Sequence, residues 1–209
     1  MHKFIVKATF MKQLAFFLLV TLSNISYAQV KSDLLRNELL EIYNSDQSSR
    51  EQLSKIGPGD KDFMRLWRKQ TSIDSINLLR IIAIIDSVGY PGKSMVGDIA
   101  NEAAFYVIQH AEHKDREKYL PVIKKAADYG DLAWKHVAKM IDRIKVDRGE
   151  KQIYGTQMIP IKDSKTGFIT DKYQFAPIKS SRNVNKRRLR VGLNTIEQQA
   201  TEFGVVYKE

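Results

Sequence analysis

Between residues 32 and 147 apolar side chains return every three to four positions, and the runs are parted only by short links. That spacing lays an apolar stripe along each of a series of helices. Leu34, Leu35, Leu39, Ile42 and Tyr43 mark the first, over about 32–53, before Gly57-Pro58-Gly59 breaks the chain. Phe63, Leu66 and Trp67 mark a helical stretch around 62–69. Ser72 and Asp74 have the chemistry of caps for the next helix, about 74–87, which carries Ile76, Leu79, Ile82, Ala83 and Ile85. Gly89-Tyr90-Pro91-Gly92 ends it. Ser94 is placed to cap a helix running to about Glu112, with Val96, Ile99, Ala100, Ala103, Val107 and Ala111 on one face. The pattern over 116–129 is helical too, although Pro121 predicts a start nearer Tyr119 or a kink. Gly130 closes it as a left-handed cap. Asp131–Asp147 is the last long helix, with Trp134, Val137, Ala138, Ile141 and Ile144 inward, and Gly149 stops it.

Beyond Gly149 the period changes. Gln152–Ile161 and Phe168–Ile178 are rich in β-branched and aromatic residues, and Asp163–Gly167 between them predicts a hairpin turn. A basic stretch follows, then a short helix from Asn194 to about Glu202. Links this short make consecutive helices antiparallel neighbours. The expected fold is therefore all-α, an antiparallel bundle or short helical array. It carries a small C-terminal β-hairpin at about 152–178 and a basic C-terminal segment, all in one domain over 29–209.

At 43% hydrophobic the chain has enough apolar residues for an ordinary core. It contains no cysteine, which excludes disulfides, thiol nucleophiles and Cys-ligated zinc. The first 28 residues hold no Asp or Glu and four basic groups (His2, Lys3, Lys7 and Lys12), then the apolar run Leu14–Leu22, then Ser26-Tyr27-Ala28. Basic, apolar, small-x-small is the layout of a secretory signal, and that apolar run is too short to span a bilayer as a helix. We expect cleavage after Ala28 and export to a periplasmic or secreted location, with no transmembrane span in the mature chain. Met11 is an alternative start.

Several polar strings interrupt the helical pattern: Asp46-Gln47-x-x-Arg50, Gly89-Tyr90-Pro91 followed by Val96-Gly97, and Gln109-His110-Ala111. Asp142-Arg143, Gln152-x-Tyr154-Gly155-Thr156-Gln157, and Val184-Asn185-x-Arg187-Arg188 ahead of Val191-Gly192-Leu193 follow. In this order they resemble the family catalogued as domain of unknown function 6624, over roughly Leu34 to Gln198. Tyr90 stands where that family often has Trp, and Lys179-Ser180-Ser181 where acidic residues are expected. The resemblance implies a fold unit and a set of polar positions, without an activity.

The same positions carry the candidate chemistry. His110 falls near the core face of its helix, where an imidazole needs partners; it reads either as a tied core histidine or as a ligand contact or general base. His110 and His113 are three residues apart, unlike the i, i+4 pair with intervening Glu of zinc proteases, so no metal is expected. Asp142-Arg143 reads as a structural ion pair or as an anion-binding arginine held by a carboxylate. Tyr154, Thr156 and Gln157 supply neutral donors and acceptors around a glycine, for a pocket or for a bulged strand. No phosphate loop, nucleophile elbow or cofactor motif is present in the sequence, so no cofactor is expected. Lys179, Arg182, Lys186, Arg187, Arg188 and Arg190 form a run without acids or aromatics. It reads as solvated or locally paired, with anionic envelope contact as the alternative and nucleic acid disfavoured. Antiparallel packing brings His110 and Asp142 to the same end of the bundle, where the 154–157 string folds back. The expected site is a polar pocket of Gln109, His110, Asp142, Arg143, Tyr154, Thr156 and Gln157, binding a small polar ligand or a protein partner. The alternative is a hydrolase in which His110, oriented by Asp142, activates water.

Overall fold

A computed structural model of the protein describes residues 29–207 apart from 58 and 165, so the signal expected over 1–28 and the proline of the Gly57–Gly59 break lie outside the described residues. Helix α1 covers 29–54. It is followed by α2 (Phe63–Val88), α3 (Lys93–Val96), α4 (Glu102–His110), α5 (His113–Asp128) and α6 (Trp134–Asp147). Strands β1 (Met158–Lys162) and β2 (Ile169–Phe175) come next, then helices α7 (Val184–Arg190) and α8 (Ile196–Glu202). No described helix is long and apolar enough to cross a membrane.

The core gathers around α4, which packs against α2, α5 and α6. Ala103, Ala104, Phe105, Val107 and Ile108 are all buried on it, and the two alanines let the neighbours approach. Leu39 and Ile42 of α1, Ile81 and Ile84 of α2, Ile123 of α5, and Val137 and Met140 of α6 close the cluster. Fully burying one such side chain contributes about 1.5–3 kcal/mol.

Three helix boundaries differ from the sequence expectation, each for a visible reason. The stretches at 62–69 and 74–87 are one helix, and Ser72 and Asp74 lie inside it rather than capping it. Asp74 instead accepts from Gln70 Nε2 one turn back, at 2.6 Å, and from Arg50 of α1 at 2.5 Å, so tertiary partners take up the side chain expected to stop the helix. The single helix expected over 94–112 is split into α3 and α4. Gly97 (φ +81°) and Ile99 (φ +65°) turn left-handed between the two. Ser94 does not cap with its own side chain; its N–H donates to the Asp131 carboxylate at 2.8 Å. The basic stretch also holds a helix that the apolar period does not announce, because α7 buries only Val184 and Arg188. Elsewhere the boundaries agree within a few residues, and α5 carries Pro121 inside it.

The hairpin is antiparallel, pairing Met158 with Phe175 and Lys162 with Ile169, with an irregularity between Pro160 and Lys162. Residues 152–157, expected in its first strand, form a loop instead, apart from one parallel bridge between Gln152 and Ile178. That loop docks on a second, smaller core beside the bundle, where Ala176, Val184, Ile196 and Ala200 are buried. Thr195 and Gln198 begin α8 with a reciprocal capping box.

Candidate functional site

Asp142 points from α6 into the protein and is completely buried. Its carboxylate accepts the N–H groups of Ile153 (2.7 Å), Tyr154 (3.0 Å) and Thr156 (3.0 Å), and the Thr156 hydroxyl (3.0 Å). Burial pushes the Asp142 carboxyl up, and these donors pull it back. On the opposite edge of the loop, Arg188 is 1% exposed. It donates to the carbonyls of Tyr154 (2.8 Å), Gly155 (3.1 Å) and Asn194 (2.6 Å), and to Gln199 Oε1 (2.5 Å). Arg187 donates to the carbonyls of Ile153, Lys179 and Ser180. Of the two expected states of the basic segment, these two residues take the locally paired one. Lys179, Arg182, Lys186 and Arg190 are exposed.

Gln152 completes the frame. It is fully buried, donates Nε2 to the carbonyls of Gln157 and Ala176, and accepts Gln157 N–H. Gly155 sits at φ +69° under Ile196 and Ile178, where an added Cβ would stand 2.7 and 2.9 Å from their terminal methyls. Only glycine fits both the left-handed backbone and the space.

The loop so held forms one wall of a cleft of about 520 Å³. Four of the seven expected site residues line it: Gln109 at the end of α4, Arg143 on α6, and Thr156 and Gln157 on the loop. Lys135 and Lys139 of α6, Arg188, the 192–194 turn, and Gln199, Glu202 and Phe203 of the α8 region also line it. Gln109 is 8% exposed and its amide oxygen has no partner among the described residues. Arg143 and Lys139 are partly buried, and burial lowers the proton affinity of both. Arg116 and Arg50 add to the effect on Arg143, and Lys135 adds to that on Lys139.

His110, Asp142 and Tyr154 are not among the residues lining this cleft. Asp142 is occupied with the loop, and no hydrogen bond joins it to His110 among the described residues. The His110 ring is held at about 4, first by burial and then by the cations of Arg50, Arg143 and Arg116, with Asp74 opposing them. It is neutral at neutral pH. The Asp46-Gln47-x-x-Arg50 string is a network at the α1–α2 contact. Asp46, 1% exposed, accepts from Gln47 and Arg50, and Arg50 bridges to Asp74. No group of three or more His, Asp or Glu side chains is placed to hold a metal ion among the described residues.

Sequence reasoning did not single out Lys135, Lys139 or Gln199 in the cleft. The first two were findable, since 135, 139 and 143 stand four apart on one helix. Nor did it find the buried His136, which lies 3.1 Å from the Glu102 carboxylate and packs on Phe105 with ring centroids 4.5 Å apart.

The sequence pattern of a family of unknown function (DUF6624) matches residues 33–207, and the chain belongs to that family. No curated protein and no solved structure matches it.

Proposed function

We propose that the protein binds a small polar ligand in the cleft between α6, the 153–157 loop and α8. The observation that carries this reading is the convergence of Gln109, Arg143, Thr156 and Gln157, from three separate elements, on one concavity of about 520 Å³. That volume lies within the ordinary range for small-molecule sites. The wall is held by buried polar groups, so the site is shaped before any ligand arrives. The test is a thermal-shift screen of small polar compounds on wild type and on Gln109→Ala and Lys139→Met. A ligand present at a hundred times its dissociation constant adds about 2.7 kcal/mol of stability. A compound that raises the wild-type melting temperature and fails on both variants supports the site. Compounds that shift all three proteins equally, or none at all, overturn it.

Binding is better supported than hydrolysis. A hydrolase reading needs Asp142 to orient His110, and the Asp142 donors all come from the loop. Export belongs to the same proposal: cleavage after Ala28 would release residues 29–209 to meet their ligand outside the cytoplasm. The exposed cations Lys179, Arg182, Lys186 and Arg190 leave room for contact with an anionic envelope surface.

A further inference from the structure

Lys135, Lys139 and Arg143 stand four residues apart along α6, which places them on one helix face at steps of about 6 Å along the axis. All three line the cleft. None has a hydrogen-bond or ion-pair partner for its charged group among the described residues, although Glu102 acts on Lys139 and Asp147 on Arg143 at longer range, and burial with the neighbouring cations outweighs both. Like charges at i, i+4 repel each other and weaken a helix. Here two such pairs follow one another, and they face a concavity in which their fields add.

The opposite wall does not neutralise them. Its lining includes one carboxylate, Glu202, which accepts from Asn194 Nδ2 at 3.2 Å. The fourth cation, Arg188, is engaged with the Tyr154, Gly155 and Asn194 carbonyls and with Gln199. Gln109, more than nine-tenths buried, brings an amide oxygen with no partner among the described residues to the same cleft, an acceptor for a hydroxyl or N–H of the ligand and not for its anionic groups. A single compact anion reaches one or two of three charges spread over about 12 Å of helix and leaves the rest unpaired.

We propose that the cleft takes an elongated small molecule with two or three anionic groups, phosphate or carboxylate, laid along α6 against Lys135, Lys139 and Arg143. This rests on the reading of the cleft as a ligand site and names the chemistry of its ligand.

Isothermal titration of the protein with phosphate, pyrophosphate and tripolyphosphate, and with acetate, succinate and citrate, tests it. Affinity rises along the better series by roughly tenfold or more per added anionic group, the size of one charge-assisted hydrogen bond. The series with the tighter members identifies the anionic group. Lys135→Gln and Arg143→Gln each weaken the longest anion by a similar factor. A triple variant of exposed α2-side cations, Lys61→Gln with Arg68→Gln and Lys69→Gln, changes it by no more than about twofold, because distant surface charges are screened. The ligand-free melting temperature of Lys139→Gln equals or exceeds that of wild type, since a repelling charge is gone. Flat affinity along both series, or equal weakening by the control triple, overturns the proposal. If neutral polar compounds bind in a Gln109-dependent way while the anions do not, the anionic ligand is wrong and the cleft reading survives. If no compound depends on any cleft residue, both fall.

Discussion

Asp142 and Arg188 hold one loop from opposite edges: the carboxylate accepts the N–H groups of Ile153, Tyr154 and Thr156, and the guanidinium donates to the carbonyls of Tyr154 and Gly155. The two charges lie at 0% and 1% exposure, and they meet through the peptide groups between them. Buried backbone groups need partners, and a loop has no ladder to supply them. Here a charge at each edge does so, and each buried charge is hydrogen-bonded in return.

Removing either grip leaves both a buried charge and unpaired peptide groups. Asp142→Asn turns an acceptor atom into a donor facing N–H groups, and costs about 2–4 kcal/mol of stability. Arg188→Gln costs about 2–4 kcal/mol, because it leaves the Tyr154, Gly155 and Asn194 carbonyls without their charged donor. Because both act on one loop, the double variant loses less than the sum, by about 0.5–3 kcal/mol. Urea denaturation of the four proteins measures this. Strict additivity would show two independent sites.

Gly155→Ala has no easy accommodation. The backbone sits at φ +69° and the new methyl meets Ile196 and Ile178 at 2.7 and 2.9 Å. Left-handed strain and overpacking add to a loss of about 2–4 kcal/mol. The loss reaches the cleft as well, because Thr156 and Gln157 follow directly, so ligand affinity falls with stability. A variant as stable as wild type would show that the Ile196 and Ile178 side chains yield freely.

The bundle was legible because helical burial is a one-dimensional signal. Val137, Ala138 and Ile144 are inward in sequence period and buried in space. Where a tertiary partner takes over a local signal, the reading went astray: Asp74 looks like a cap and instead serves Arg50 and Gln70. Helix α7 escaped because a buried arginine gives no apolar period. The polar strings did locate the loop and four residues lining the cleft. What they could not tell was that Asp142 faces peptide groups, since that depends on where a loop eleven residues later comes to rest.

The export proposal makes its own prediction. The N-terminal sequence of the protein purified from its host begins at Gln29, after the Ser26-Tyr27-Ala28 signature. Protein recovered from the cytoplasm with its first residues intact would defeat the reading.

Two histidines tie stability to pH. Burial holds His110 at about 4 and lowers His136, against an ordinary value of 6.5. For His136 the Glu102 carboxylate opposes the burial, and burial prevails. In the unfolded chain both rings take up protons near pH 6.5, while in the folded protein they resist. The stabilisation is therefore fully present above pH 6.5 and is lost as the pH falls toward 4. Between pH 6.5 and about 5 ordinary carboxylates remain largely ionised, so that window reports the histidines. The urea midpoint of wild type falls across it, and that of His110→Gln falls less. Ring proton signals of His110 in NMR stay at neutral positions down to about pH 5. A midpoint that does not move, or a His110 ring that titrates near its ordinary value, would mean that the Arg50, Arg143 and Arg116 surroundings are wetter than the packing implies.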